Sequence, residues 1–206
     1  MSGWSRRRIL HAMAVGGTVG VAGCSDAATR SSPPAPRERV TEFEARSRRH
    51  GDGTPLLVPV VAEGTATTAE VGDDSPRDIS LIEHVTDGSD LEDLRFRDTA
   101  AARELEAFVT ATDYPSRSVY LLQRAVGECH VPRLVGVYRE GNGVDVRFCR
   151  DLRPAGVACD ADATDAFAVA LRLPFAGDEF DSVGTGWSSD CEHRHTVALS
   201  DGGGRS

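Results

Sequence analysis

Residues 133–149 prescribe a β-hairpin. Val144, Val146 and Phe148 alternate with Asp145 and Arg147, and an apolar run precedes Glu140-Gly141-Asn142-Gly143. A period of two places such an apolar set on one face of a strand. A two-residue Gly141-Asn142 loop of type II′, with glycine where positive φ is needed, sets Val137 opposite Val146 and Val135 opposite Phe148. Turn chemistry and side-chain pattern then demand the same register. The apolar face so created has to be covered by a second layer.

Residues 56–61, 118–124, 166–173 and 194–200 also have strand character. In 166–173, Phe167, Val169, Leu171 and Leu173 alternate with small residues and Arg172, which predicts one buried face. One amphipathic helix is predicted over 98–110. Asp98 or Thr99 can cap its first turn, and Leu105, Phe108 and Val109 gather on one side with Ala101. The expected fold is mainly β (α+β): an antiparallel β-sandwich or curled sheet with one packed amphipathic helix. A single domain over 55–200 is long enough for a substantial core, and 201–206 reads as a disordered tail. Residues 24–54, rich in Ser, Pro, Arg and Glu, read as a flexible tether.

Residues 1–23 read as a signal peptide. Arg6, Arg7 and Arg8 precede an apolar stretch over 9–22 without an acidic residue. At ~1.5 Å per helical residue this stretch reaches roughly 21 Å, short of the ~30 Å hydrocarbon core, so it does not suit a permanent span. Ser5-Arg6-Arg7-Arg8-Ile9-Leu10, followed by a glycine-rich and mildly apolar region, resembles the twin-arginine export signal. Val21-Ala22-Gly23-Cys24 resembles a lipobox. Together they imply that Arg6 and Arg7 carry the export signal. They also imply that Cys24 takes the lipid, and that the mature protein sits extracytoplasmically on the cell membrane.

The chain has 32 acidic residues against 23 basic ones, every basic residue is arginine, and the net charge is −9. Loss of a leader that carries three arginines and no acid brings it to −12. This composition resembles proteins of extremely halophilic archaea, in which dense carboxylates hold water and cations in concentrated salt. A Debye length of roughly 3 Å at 1 M removes most of their mutual repulsion. The same charge disfavours nucleic acid as a partner. The order of helix, Thr112-Asp113-Tyr114, strand, cysteine loop, hairpin and strand ending at Pro174 resembles twin-arginine-exported lipoproteins of haloarchaea that carry no assigned activity. It also resembles small secreted β modules of the protease-stabilising or inhibitor kind, without the glycine-rich turn those carry. Neither resemblance transfers a functional residue.

With Cys24 assigned to lipid, Cys129, Cys149, Cys159 and Cys191 form an even set, and an oxidising compartment implies two disulfides. Three pairings are open. The expected one joins Cys149 to Cys159 across Pro154-Ala155-Gly156, leaving Cys129 for Cys191.

Cys191-Glu192-His193-Arg194-His195 is the most suggestive cluster. On a strand its alternate residues share a face, and with His130 they could converge on copper or zinc. Against that, residues 24–206 contain no methionine for an axial position, Cys191 is wanted for a disulfide, and Val197 and Leu199 continue the same face toward a core. Asp160-Ala161-Asp162-Ala163-Thr164 has the spacing of aspartyl-phosphate-forming phosphatases, which also need a parallel α/β sheet and a lysine. The chain has no lysine. Residues 87–93 are oxygen-rich without EF-hand spacing, and 184–189 hold serines outside any nucleophile elbow. Trp187 reads as a core aromatic. The leading expectation is therefore a lipid-anchored surface protein with a non-catalytic binding or structural domain, without a cofactor or catalytic residue. Its alternatives are a metal-binding lipoprotein using His193, His195 and His130, and more distantly an exported hydrolase. No particular protein or small-molecule partner is named by the residues.

Overall fold

The hairpin forms from β7 (His130–Glu140) and β8 (Gly143–Leu152). In the computed structural model, which describes residues 37–60, 80–191, 194–197 and 199, Glu140 pairs with Gly143 and leaves Gly141 and Asn142 as the loop. Gly141 adopts φ +56° while Asn142 does not enter the positive region, as type II′ requires. Val137 faces Val146 as expected. Farther along, a bulge between Leu134 and Gly136 shifts the ladder, so Leu134 rather than Val135 stands opposite Phe148. The side chain of Tyr138 lies back over Gly136, where a Cβ would come within 3.1 Å of the hydroxyl.

Two four-stranded sheets pack face to face. The first has the order β1 (Arg37–Val40), β7, β8, β10 (Ser182–Ser188), with β1 antiparallel to β7 and β10 parallel to β8. The second has the order β2 (Glu44–His50), β9 (Thr164–Leu173), β6 (Ser118–Gly127), β4 (Leu81–Val85), all antiparallel. A small pair, β3 (Leu57–Pro59) with β5 (Leu94–Phe96), and the helix α1 (Ala100–Thr110) complete the described fold. The protein is thus mainly β, a sandwich with one packed helix, and among the described residues no helix is long and apolar enough to cross a membrane.

The inter-sheet core gathers Tyr120 and Leu122 of β6, Phe148 of β8, and Phe167, Val169 and Leu171 of β9. A second core lies between the other face of the second sheet and α1. The expectation of a single buried face for 166–173 is corrected here. Ala166, Ala168 and Ala170 are as inaccessible as the large residues between them, and the small side chains of Ala168 and Ala170 leave room for Leu105, Phe108 and Val109 of the helix. β9 is central, and a doubly covered strand needs small residues on the face where a helix sits close.

Thr99 caps α1, its hydroxyl accepting from the amide of Ala102. At the other end, Arg172 reaches over from β9, donates to the carbonyl of Phe108 (2.7 Å) and to Thr112 Oγ1 (3.0 Å), and stacks 4.3 Å above the Phe108 ring. A cation at a helix C-terminus satisfies free carbonyls and complements the helix dipole.

Three boundaries differ from expectation. Residues 37–54, taken as the end of a tether, contribute β1 and β2. Their strand character is hidden because the pattern is charged: Arg48 pairs with Glu104 of α1, Arg49 with Asp165, and Glu44 with Arg117 and Arg172. Only Val40, Phe43 and Ala45 pack against the inter-sheet core. Residues 182–188 form β10 although two glycines interrupt them. Over the described part of 194–200, the expected strand is reduced to one bridge, the amide of Val197 donating to the carbonyl of Leu134.

Candidate functional site

The outer face of the first sheet carries a cavity of about 440 Å³ over the hydrogen-bonded pair β8–β10. Alternation turns Asp145 and Arg147 outward while Val144, Val146 and Phe148 face the core. Gly184 and Gly186 lie beside them in register. A Cβ on Gly186 would approach Arg147 Cδ to 2.7 Å, so glycine is what lets the arginine lie flat across the sheet. Arg37 bridges two carboxylates, donating to Glu140 (2.9 Å) and Asp145 (3.0 Å), and Arg147 reaches the same Asp145 oxygen at 2.6 Å. The hydrogen bond to Glu140 leads the effects that raise Arg37 above its ordinary value. Here two guanidiniums share a carboxylate above a glycine floor. Such a layout suits recognition of a polar partner through exchangeable ion pairs.

A second depression, about 490 Å³, lies where Pro59, Val60 and β4 meet the 3-10 turn 88–93. His84 lines it, its ring centroid 4.4 Å from that of Phe180 and its Nε2 buried with no hydrogen-bond partner among the described residues. Burial pushes the imidazole down, with Asp90 opposing. Asp90 is not an orienting partner for it. One Asp90 oxygen accepts from the amide and hydroxyl of Thr86 (2.7 and 3.0 Å) and from the Asp87 amide (3.1 Å). The oxygen-rich segment 87–93 thus uses Asp87 and Asp90 in its own capping box.

The cysteines pair as Cys129–Cys159 and Cys149–Cys191, with Cα separations of 5.3 and 5.1 Å. This corrects the expected Cys149–Cys159 and Cys129–Cys191. Cys149 stands in register with Ser188 of β10, and Cys191 follows three residues later, so the parallel strand delivers it to Cys149. The loop after β8 turns back toward the β6–β7 turn: the amide of Arg153 donates to Cys129 O and that of Glu128 to Ala163 O, which brings Cys159 beside Cys129. The missing signal was β10, without which the destination of Cys191 is invisible.

No family model, curated protein or solved structure matches the chain. Cys191 has its sulfur in a disulfide and cannot supply a thiolate. His195 is exposed, His130 is half-buried, and His193 lies outside the described residues, as do Arg6, Arg7 and Cys24. Among the described residues, no three His, Cys, Asp or Glu side chains are grouped to hold a metal. Asp160 accepts from the amide of Asp162 (2.9 Å) in a loop leading into an antiparallel strand, which is not the setting of an aspartyl-phosphatase. Trp187 faces the inter-sheet core and stacks on Phe148 with centroids 4.8 Å apart and planes 16° from parallel.

Proposed function

We propose that this chain is an extracytoplasmic surface protein, exported by the twin-arginine route and anchored through lipid on Cys24, whose β-sandwich is a non-catalytic binding or structural module. The observation that carries the reading is the pair of disulfides, which belong to an oxidising compartment. They use all four cysteines other than Cys24 and leave that one for the lipobox-like Val21-Ala22-Gly23-Cys24. The arginine-bridged face over β8 and β10 is the surface such a module offers to a polar partner. The excess of acid over base fits a surface adapted to concentrated salt.

Expression in a host with twin-arginine export tests the address. Cys24→Ser releases soluble protein into the medium, and replacing Arg6 and Arg7 with lysine holds the protein inside the cell. Membrane retention of the serine variant would refute the anchor. Thiol titration of the unfolded, unreduced protein finds no free thiol other than an unlipidated Cys24.

A further inference from the structure

The inter-sheet mouth near the Cys149–Cys191 disulfide holds an arginine without a counter-charge among the described residues. Along β6, Tyr120, Leu122 and Val126 face the inter-sheet core, and alternation puts Arg124 on that same face. Its guanidinium lies 4.3 Å above the Trp187 ring, which in turn stacks on Phe148. Every other arginine that is shielded from solvent among the described residues holds a carboxylate, from Arg48 with Glu104 to Arg172 with Glu44. Arg124 makes no hydrogen bond or ion pair with a described residue. The charge that acts on it, that of Arg150, is like its own. Arg150 continues the Val144, Val146, Phe148 face of β8 past the end of the core, and its side chain is exposed. Burial first, and the Arg150 charge second, lower the Arg124 pKa.

Partly burying a guanidinium costs free energy unless its charge is balanced. Stacking on an indole recovers part of that cost and uses the face of the group. The edge, with its fork of N–H donors, is left for something that is not a described side chain. A fork matches two oxygens of one planar or tetrahedral anion, and a second guanidinium nearby favours such a group further.

We propose that Arg124 and Arg150 form a receiving site for an oxyanion group, a carboxylate, sulfate or phosphate carried by a ligand, with Trp187 as the platform that holds Arg124 in place. This deepens the binding-module reading and rests on it for its biological setting, yet its test is made in solution and is independent of the lipid anchor.

Trp187 reports directly on the site. Full-length protein carrying Trp4→Phe has Trp187 as its one tryptophan. Its emission is followed while inorganic phosphate, sulfate or acetate replaces chloride at constant ionic strength. At least one of these anions gives a saturable change, and their ranking identifies the group preferred. Arg124→Gln, with the folded circular dichroism spectrum retained, weakens binding by at least about tenfold, as expected for loss of charge-assisted hydrogen bonds. Arg124→Lys keeps the charge but loses the fork and binds weakly as well. Arg150→Gln, on an exposed side chain, weakens binding severalfold without disturbing the fold. The proposal is overturned if none of the three anions gives a saturable change, or if a folded Arg124→Gln variant responds like its parent. Should Arg124→Gln not fold, unchanged affinity in Arg150→Gln overturns it instead. Failure here leaves the Cys24 release experiment untouched, and failure of that experiment leaves this one intact.

Discussion

Gln123 holds the backbone of Leu57 from both sides. Its Nε2 donates to Leu57 O (2.8 Å) while its Oε1 accepts from the amides of Leu57 (3.0 Å) and Leu56 (2.6 Å). The side chain is almost fully buried and replaces a neighbouring strand for the start of β3. Gln123→Leu keeps the volume and leaves three buried backbone groups unpaired. A loss of about 3 kcal/mol is expected from the usual cost of unmade buried hydrogen bonds. Denaturant unfolding in concentrated salt checks it, and a change below about 0.5 kcal/mol would show that water fills the role.

The two disulfides close stretches with sequence separations of 30 and 42 residues. On the chain-entropy model each contributes about 4 kcal/mol, so removing either pair as a double serine variant lowers stability by up to that amount. Peptide mapping under non-reducing conditions recovers Cys129 with Cys159 and Cys149 with Cys191. Recovery of Cys149 with Cys159 would contradict the arrangement.

Arg49 and Asp165 form a shielded ion pair between β2 and β9, and Arg49 also donates to the carbonyls of Gly127 (2.9 Å) and His130 (2.7 Å). It thereby ties the β6–β7 turn to the edge of the second sheet. Asp165→Ala strands this charge, although Glu128 O accepts from it too (3.3 Å). Breaking one side of a buried pair costs about 3 kcal/mol or more. Equilibrium unfolding of the variant measures the effect.

His84 gives stability a pH dependence. Burial lowers its pKa in the folded protein below the unfolded value of about 6.5, so the unfolded chain binds more protons between the two values. Its contribution is present above the unfolded pKa and is lost as pH falls through the folded one. Stability should therefore decline as the pH is lowered from about 7 toward 5, and His84→Phe should flatten that decline. An identical slope in the variant would assign the titration elsewhere. At the alkaline end, burial pushes Tyr120 up to about 12. With the folded value raised, its contribution holds below the unfolded pKa of about 10 and fades as pH rises past it.

Dialysis of the domain from molar salt to dilute buffer should restore repulsion among its carboxylates and reduce its ordered circular dichroism signal. An unchanged spectrum would count against the halophilic reading of the composition.

What the sequence disclosed followed the scale of the interaction responsible. The β7–β8 turn and the Thr99 cap are local, and Gly141-Asn142 or Thr99 with Leu105 and Phe108 suffice to announce them. β2 was unreadable because Arg46, Arg48 and Arg49 look solvated until Glu104 and Asp165, far along the chain, are brought beside two of them. β10 was unreadable for a different reason. Its Gly186 makes room for the side chain of Arg147 on the next strand rather than for a turn. The disulfide pairing inherited that gap. The outer charged face and the Arg124 mouth both depend on which strands become neighbours, so neither leaves a contiguous motif.

The bonds Cys129–Cys159 and Cys149–Cys191 interleave along the chain. A protease that nicks the backbone anywhere between Cys129 and Cys191 therefore severs no fragment, since at least one sulfur bridge always spans the cut. The exposed stretch 154–162, the sort of loop that proteases reach first, is spanned by both bridges up to Cys159 and by one beyond it. A nicked molecule should migrate as one species until reductant is added, and it retains the covalent means to stay in place.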